Sequence, residues 1–348
     1  MITLETIKDY LKKYDGEELT FMEVCGTHTA AISQSGITEI LSDKIRLVSG
    51  PGCPVCVTVA SYIDKLVSLS MEENTCVATF GDMLRVRGSE KSLNDAKASG
   101  GKVILVYSPM DVIDIAKKNT QLNYVFAAVG FETTTPIYSL MLKQIIEEKI
   151  ENLKLLTALK TMPKVIDWVC SVDSPINGFI APGHVSVITG SDYFKELALK
   201  WNMPFVVSGF EAIDLLNAIY ALINYKDKGE VLNLYPAYVT DKGNKAAQKQ
   251  VEQYFTSCKS AWRGIGQIED SGMQLKEEYL KYDAGSQNLI EDSKINEGCC
   301  CDKVIIGTIN PTQCPLFKKV CSPETPQGAC MVSTEGSCYH YYISNRKR

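Results

Sequence analysis

A chain of 348 residues, 45% of them hydrophobic and 22% charged, is long enough for two or three domains and apolar enough to bury a core in each. Its 36 Lys and Arg stand against 41 Asp and Glu, a formal net charge of -5, and no basic run is interleaved with aromatics, which excludes an ordinary nucleic-acid-binding surface. No window approaches the roughly 18 consecutive apolar residues of a membrane span, and the first residues lack the regions of a signal peptide, so the expected location is cytoplasmic and off the membrane.

From Leu19 to about Leu222, short apolar runs alternate with amphipathic stretches, as when strands are buried under crossover helices. Strands are expected over 19–24, 45–49, 76–80, 102–107, 124–129, 154–158, 178–181 and 205–207, with helical patterns at 57–71, 136–149 and 191–201. The expected fold is α/β with mostly parallel sheets. The loop 97–102, with Gly100 and Gly101, offers a boundary between α/β domains over 1–100 and 101–228. No repeat relates the two. Beyond 229 strand-like runs thin out, 242–255 reads as a polar-faced helix and 272–296 as acidic and poorly patterned. A third, mainly helical or irregular domain over 229–348 is expected, short of large apolar residues from 291 onward and hard to fold without a metal or disulfide.

Thirteen cysteines are many, and the number is odd. In a reducing compartment they read as metal ligands or redox thiols. Cys25-Gly-Thr-His28-Thr follows the first expected strand, so the thiol lies at a strand's carboxyl end, where open α/β sheets bind ligands. Cys25 and His28 suit a nucleophile with its base, or a thiolate and an imidazole near one metal. A buried cysteine beside a capping threonine is the plainer reading. Cys53-Pro-Val-Cys56, within Gly50-Pro-Gly52-Cys, stands between a strand and a helix, where free amides favour thiolate. A redox dithiol and half of a zinc site are both open there. Gly81-Asp82-Met83, Gly130-Phe-Glu132-Thr-Thr-Thr-Pro136 and Pro182-Gly-His184 also follow expected strands. Thr133 to Thr135 suit a helix cap or, with Glu132, an anion or polar-ligand site. Asp82 and His184 suit capping or acid-base work.

Seven cysteines crowd the C-terminal part: Cys299, Cys300, Cys301, Cys314, Cys321, Cys330 and Cys338. Thiolates serve both zinc and iron-sulfur clusters. Zinc sites favour paired knuckles with two to four intervening residues, and six separate Cys314 from Cys321, so iron-sulfur fits better. No phosphate-binding G-x-x-x-x-G-K-[ST] loop, G-x-G-x-x-G turn or G-x-S-x-G elbow occurs.

Together and in this order, the motifs at 25–29, 50–56, 81–83, 130–136, 182–184 and 314–338 resemble those of the hydrogenase maturation family HypD over nearly the whole chain. The resemblance implies two α/β domains and a third with a [4Fe-4S] cluster. It also implies a small chaperone partner, HypC, with an iron held between one cysteine of each protein. Cyanide would reach that iron from HypE, which uses ATP after HypF supplies the carbamoyl group, and the assembled Fe(CN)2CO would pass through HypC toward a hydrogenase large-subunit precursor. Carried over by motif, Cys25 is the iron ligand with His28 beside it, and Cys53 and Cys56 are a redox dithiol. The tail resembles ferredoxin:thioredoxin reductase, with Cys299, Cys314, Cys321 and Cys338 on the cluster and Cys301 and Cys330 as a redox pair. Asp82, Glu132 and His184 would handle protons or hydrogen-bond the cyanides. Two departures stand out: three cysteines in a row, so that Cys300 competes as a ligand, and Lys318 where the family usually has glycine. The expected role is a redox-active assembly scaffold rather than a turnover enzyme. A cluster-fed protein disulfide reductase and a zinc-stabilised scaffold are the alternatives.

Overall fold

The computed structural model describes residues 3–172, 175–290 and 298–344. Its strands are β1 (Leu19–Glu23), β2 (Ile45–Ser49), β3 (Thr75–Thr79), β4 (Val103–Leu105), β5 (Asn123–Gly130), β6 (Leu153–Lys160), β7 (Gly178–Pro182), β8 (Phe205–Ser208), β9 (Val231–Asn233), β10 (Phe255–Trp262) and β11 (Gly266–Leu275). The α/β expectation holds: the eight strands read from the sequence are β1 to β8, each within two residues at either end. They were legible because strands of a covered parallel sheet are apolar throughout, and β3, β7 and β8 are buried at every position.

The chain forms two units. The first combines Met1–Cys53, Val165–Lys245 and Gly298–Arg348, and the second Pro54–Lys164 with Ala246–Glu297. In the first, five parallel strands run in the order β2-β1-β7-β8-β9. Leu19, Phe21, Ile180 and Val206 bury one face of this sheet against Leu215, Ile219 and Leu222 of the helix Ala212–Asn224. In the second, the order is β10-β11-β6-β5-β3-β4, with β6 to β4 parallel and the β10–β11 hairpin antiparallel. Its core gathers Phe126, Leu153 and Leu155 with Tyr138, Leu142 and Ile145 of the helix Thr135–Glu147.

Three strands lie in the region where the sequence pattern thins. β10 and β11 form an outer hairpin whose residues are largely exposed or half-buried, so few apolar residues mark them. The segment 97–102 ends the helix Leu93–Ala98 and, through Gly100 at φ +96°, leads into β4, which pairs with β3. The helix expected from 57 begins at Ala60, and that expected over 191–201 is a 3-10 turn, Ser191–Phe194, followed by the helix Lys195–Trp201. Among the described residues the tail holds short helices, Cys301–Ile305, Ala329–Val332 and Ser337–Ser344, and a 3-10 turn, Pro311–Gln313. Part of the acidic stretch 272–296, from 291 onward, lies outside the described residues. Among the described residues no helix is long and apolar enough to cross a membrane.

Counted within each unit, the parallel strands follow one order: second, first, third, fourth. The connection reverses direction between β1 and β7 in the first unit and between β3 and β5 in the second. Open α/β sheets bind ligands outside the carboxyl ends of the strands at such a reversal.

Candidate functional site

Cys25 stands at the first unit's reversal. β1 ends at Glu23, and Cys25, in extended conformation, is the N-cap of the helix Gly26–Ser35. Burial pushes its thiol up to about 12, against the N–H groups of His28 and Thr27, which favour the thiolate. Two close approaches fix the loop. The Gly26 N–H donates to the Gly52 carbonyl at 3.2 Å, and the Gly50 N–H to that of Glu23 at 2.7 Å. A Cβ on Gly52 would lie 2.3 Å from the Cys25 nitrogen, and one on Gly26 would lie 2.5 Å from the Cβ of Glu335. Only glycine lets the Cys25 and Cys53 loops and the C-terminal turn meet this closely.

His28 is fully buried, its Nε2 N–H donating to the Gly209 carbonyl at 3.0 Å, which leaves Nδ1 as the lone-pair nitrogen. Burial pulls its pKa down to about 4, so the imidazole is neutral. Phe210 joins the two histidines: its ring centroid lies 4.8 Å from His28 and 4.0 Å from His184, which is stacked on it and exposed. The structure thus brings Cys25, His28, His184 and the Cys53 loop to neighbouring strand ends of one sheet. Cys53 and Cys56 are disulfide-bonded, and the other eleven cysteines are free.

Two residues of this site went unread in the sequence. Glu23 is 3% exposed; its carboxylate accepts the Cys25 N–H at 2.9 Å and the Thr29 hydroxyl, and a Ser49 side-chain hydrogen bond adds β2. Burial raises its pKa to about 7. A carboxylate closing an apolar strand was the available signal. Phe210 carried none, since a lone aromatic after a strand is usually core.

Asp82, Glu132 and Cys56 belong to the second unit. Asp82 is half-buried in the 3-10 turn Gly81–Leu84 after β3. Glu132, after β5, is 9% exposed and accepts the Met162 N–H at 2.7 Å. The threonines do not supply the expected cap: Thr134 is the N-cap but makes no side-chain cap, and the Thr134 and Thr135 hydroxyls donate to the Phe131 carbonyl at 3.2 and 3.0 Å. Phe131 stacks on the fully buried Trp262, with the Lys160 ammonium 4.9 Å from the indole centroid.

All seven C-terminal cysteines line one small cavity in the first unit, closed by Phe317 and Met331. The Cys301 and Cys330 sulfurs approach to 3.0 Å, and a Cβ on Gly328 would lie 2.9 Å from the Cys299 sulfur. Mutual contact with Cys301 raises the pKa of Cys299, and contact with Cys301 and Cys338 raises that of Cys330. Among the described residues no three His, Cys, Asp or Glu side chains converge as ligands of a single ion do; the thiols share a wall rather than a point. A soft, apolar-walled set of this kind fits an iron-sulfur cluster. Contact does not divide the seven, because Cys301 touches both Cys299 and Cys330 and Cys330 also touches Cys338; Cys300 is half-buried beside Cys314. Lys318 takes φ +60° in the turn between Cys314 and Cys321. The chain makes there, with a lysine, the left-handed turn that glycine makes most easily.

A family model described as HypD, hydrogenase formation hypA family, matches residues 2–345. The hydrogenase maturation factor HypD1 of Bradyrhizobium diazoefficiens is 38% identical over 341 residues, covering 94% of this chain and 90% of its own. The factor HypD of Cupriavidus necator is 36% identical over 344 residues, covering 95% and 91%, and that of Escherichia coli 38% identical over 337 residues, covering 93% and 88%. With a family match and relatives this similar over most of both lengths, the chain belongs to the HypD family of hydrogenase maturation factors.

Proposed function

We propose that this maturation factor is the scaffold on which the iron of a [NiFe]-hydrogenase receives its cyanide and carbon monoxide ligands. The observation that carries the reading is the placement of Cys25 at the reversal point of the first sheet, with a neutral, buried His28 and the Cys53 loop against it. In the proposed reaction Fe(II) is the cargo, held by the Cys25 thiolate and a thiol of HypC. A thiol pushed up to about 12 keeps its proton until a divalent cation displaces it, so iron binding releases a proton at this atom. His28, fixed by the Gly209 carbonyl, presents its Nδ1 lone pair and adds no charge. Glu23 holds the Cys25 peptide in place.

HypE is the proposed cyanide donor, and the finished centre leaves with HypC for the large-subunit precursor. Closure of the Cys53 and Cys56 thiols to a disulfide releases two electrons and two protons, which reductive transfer of a cyano group consumes. Cys299, Cys314, Cys321 and Cys338 are the residues proposed to hold a [4Fe-4S] cluster, with Cys300 in competition with Cys299. When bound, such a cluster supplies single electrons. The Cys301–Cys330 contact supports their assignment as a redox pair. His184 and, in the second unit, Asp82 and Glu132 are proposed proton carriers or hydrogen-bonding groups.

Metal analysis and infrared spectroscopy in the cyanide and carbon monoxide stretching region, on anaerobic protein co-expressed with the small chaperone, test the proposal. Cys25→Ser is expected to abolish both sets of bands while leaving the cluster iron in place. Unchanged bands would overturn the reading. The oxidised Cys53–Cys56 pair also supports a second reading, a cluster-fed protein disulfide reductase; insulin reduction at a rate set by Cys53 and Cys56, with no cyanide bands in the native protein, would favour it.

A further inference from the structure

The second unit holds a small cavity of about 60 Å3 that the proposed iron chemistry does not use. That is more room than one water needs and far less than a drug-sized site. It lies against the sheet where β6, β11 and β10 run side by side. Lys160, the last residue of β6, pairs with Gly272 of β11, which pairs in turn with Cys258 of β10, so the three stand in one row on one face. The β10–β11 register shifts between Cys258 and Ser260. A Cβ on Gly272 would lie 2.7 Å from that of Ser260 and 3.2 Å from the Cys258 sulfur. The bulge thus brings Ser260 over the middle strand, and the glycine leaves the space through which the lysine reaches it.

Lys160 carries the argument. It is 2% exposed, and lysine is almost never buried this far without partners. Its ammonium donates to the Ser260 hydroxyl oxygen at 3.0 Å and to the Ala261 carbonyl, with the Trp262 indole centroid 4.9 Å away. Ser260 and Ala261 are themselves wall residues, so the charge stands at the cavity wall. A hydroxyl that accepts from an ammonium keeps its own proton to donate. Among the described residues the charged lining is Lys160 and Lys259, with no Asp or Glu. Lys259 is exposed and paired with Glu269 at 2.7 Å, which leaves it at the rim. Glu132, after the neighbouring strand β5, accepts the Met162 N–H and is not among the lining residues. This charge balance repels a cation, and the size excludes a large anion. Leu159 and Met273 make part of the wall apolar, which favours an anion that loses little on leaving water.

We infer that this cavity binds a small monovalent inorganic anion of the nitrate or halide class, held by the Lys160 ammonium and the Ser260 hydroxyl. The inference stands apart from the iron chemistry, because every residue in it belongs to the second unit and none is a proposed metal ligand or redox thiol.

Calorimetric titration of the full chain with sodium nitrate, in a gluconate buffer of constant ionic strength and with sodium sulfate as control, tests it. Nitrate is expected to bind with a Kd of about 1 mM or tighter and sulfate not to bind. Lys160→Met and Ser260→Ala are each expected to weaken nitrate by about tenfold, the loss of one charge-assisted hydrogen bond. No saturable heat with nitrate, sulfate binding as tight as that of nitrate, or unchanged affinity in Ser260→Ala would overturn the proposal. Ser260 is half-buried and its variant removes one hydroxyl, so it decides the matter even where Lys160→Met loses its cooperative melt.

Discussion

The two units share an order of parallel strands and place different chemistry at the same topological position. At its reversal point the first unit presents a thiol, from Cys25, and two imidazoles, from His28 and His184, that pack on Phe210. The second presents carboxylates and hydroxyls, from Asp82, Glu132 and the threonines after β5, backed by Phe131, Trp262 and Lys160. Topology therefore fixes where a site can form, because carboxyl strand ends and helix N-termini converge there. The few residues after each strand decide whether that place suits a soft metal or a proton.

The comparison can be strained at its supports. The largest effect is expected in the second unit from Trp262→Ala, which removes a fully buried indole that stacks on Phe131 and donates to Ser271 at 2.8 Å. A loss of about 4 kcal/mol in urea unfolding followed by circular dichroism is expected, and a loss under about 1 kcal/mol would show that the stack supports nothing. Next come the glycines beside each reversal. In Gly52→Ala the new methyl meets backbone, the Cys25 nitrogen and the Val24 carbonyl carbon, both at 2.3 Å. In Gly130→Ala it meets the Thr134 side chain, whose hydroxyl can rotate away while its Cβ, 2.8 Å distant, must shift by a few tenths of an ångström. Gly52→Ala is expected to destabilise by about 3 kcal/mol and Gly130→Ala by about 1 kcal/mol; the reverse ranking would refute the view that the first site is locked by backbone contact.

A pH series separates two buried titrating groups of the first unit, Glu23 and His28. The Glu23 carboxyl moves from 4.5 to about 7 on folding, so the folded chain holds an extra proton between those values. Its contribution is fully present below about pH 4.5 and is lost as pH rises through about 7. His28 moves the other way, from 6.5 to about 4, and its contribution is lost as pH falls through that window. In metal-free protein, Glu23→Gln is expected to remove between about 2 and 3 kcal/mol of the decline in stability between about pH 5 and about pH 8. An unaltered decline would assign it to other groups. The smallest effect is expected from Lys318→Gly, a gain of about 1 kcal/mol from relief of the left-handed conformation at φ +60°; thermal melting of the two proteins side by side measures it.

Much of this molecule was readable before folding. Strands β1 to β8 announce themselves because parallel strands buried on both faces are apolar throughout, and the positions of Cys25 and His184 followed from those strand ends. The β10–β11 hairpin was not readable, since the Thr256–Ser260 stretch of β10 is largely solvent-facing and β11 carries Glu269, Asp270 and Ser271. The threonines after Gly130 read first as a helix cap, and only the folded turn shows the Thr134 and Thr135 hydroxyls on the Phe131 carbonyl.

The sequence alone determined the family, the strands of the parallel sheets and the thiol-rich character of the tail, because these rest on residue type and local spacing. The tertiary structure decided which strands share a sheet, that Glu23 lies against the Cys25 peptide, and that Phe210 joins His28 to His184 across 182 and 26 residues of chain. Such pairings depend on side-by-side strand order, and hydrogen bonding between parallel strands leaves no mark in the local pattern of either.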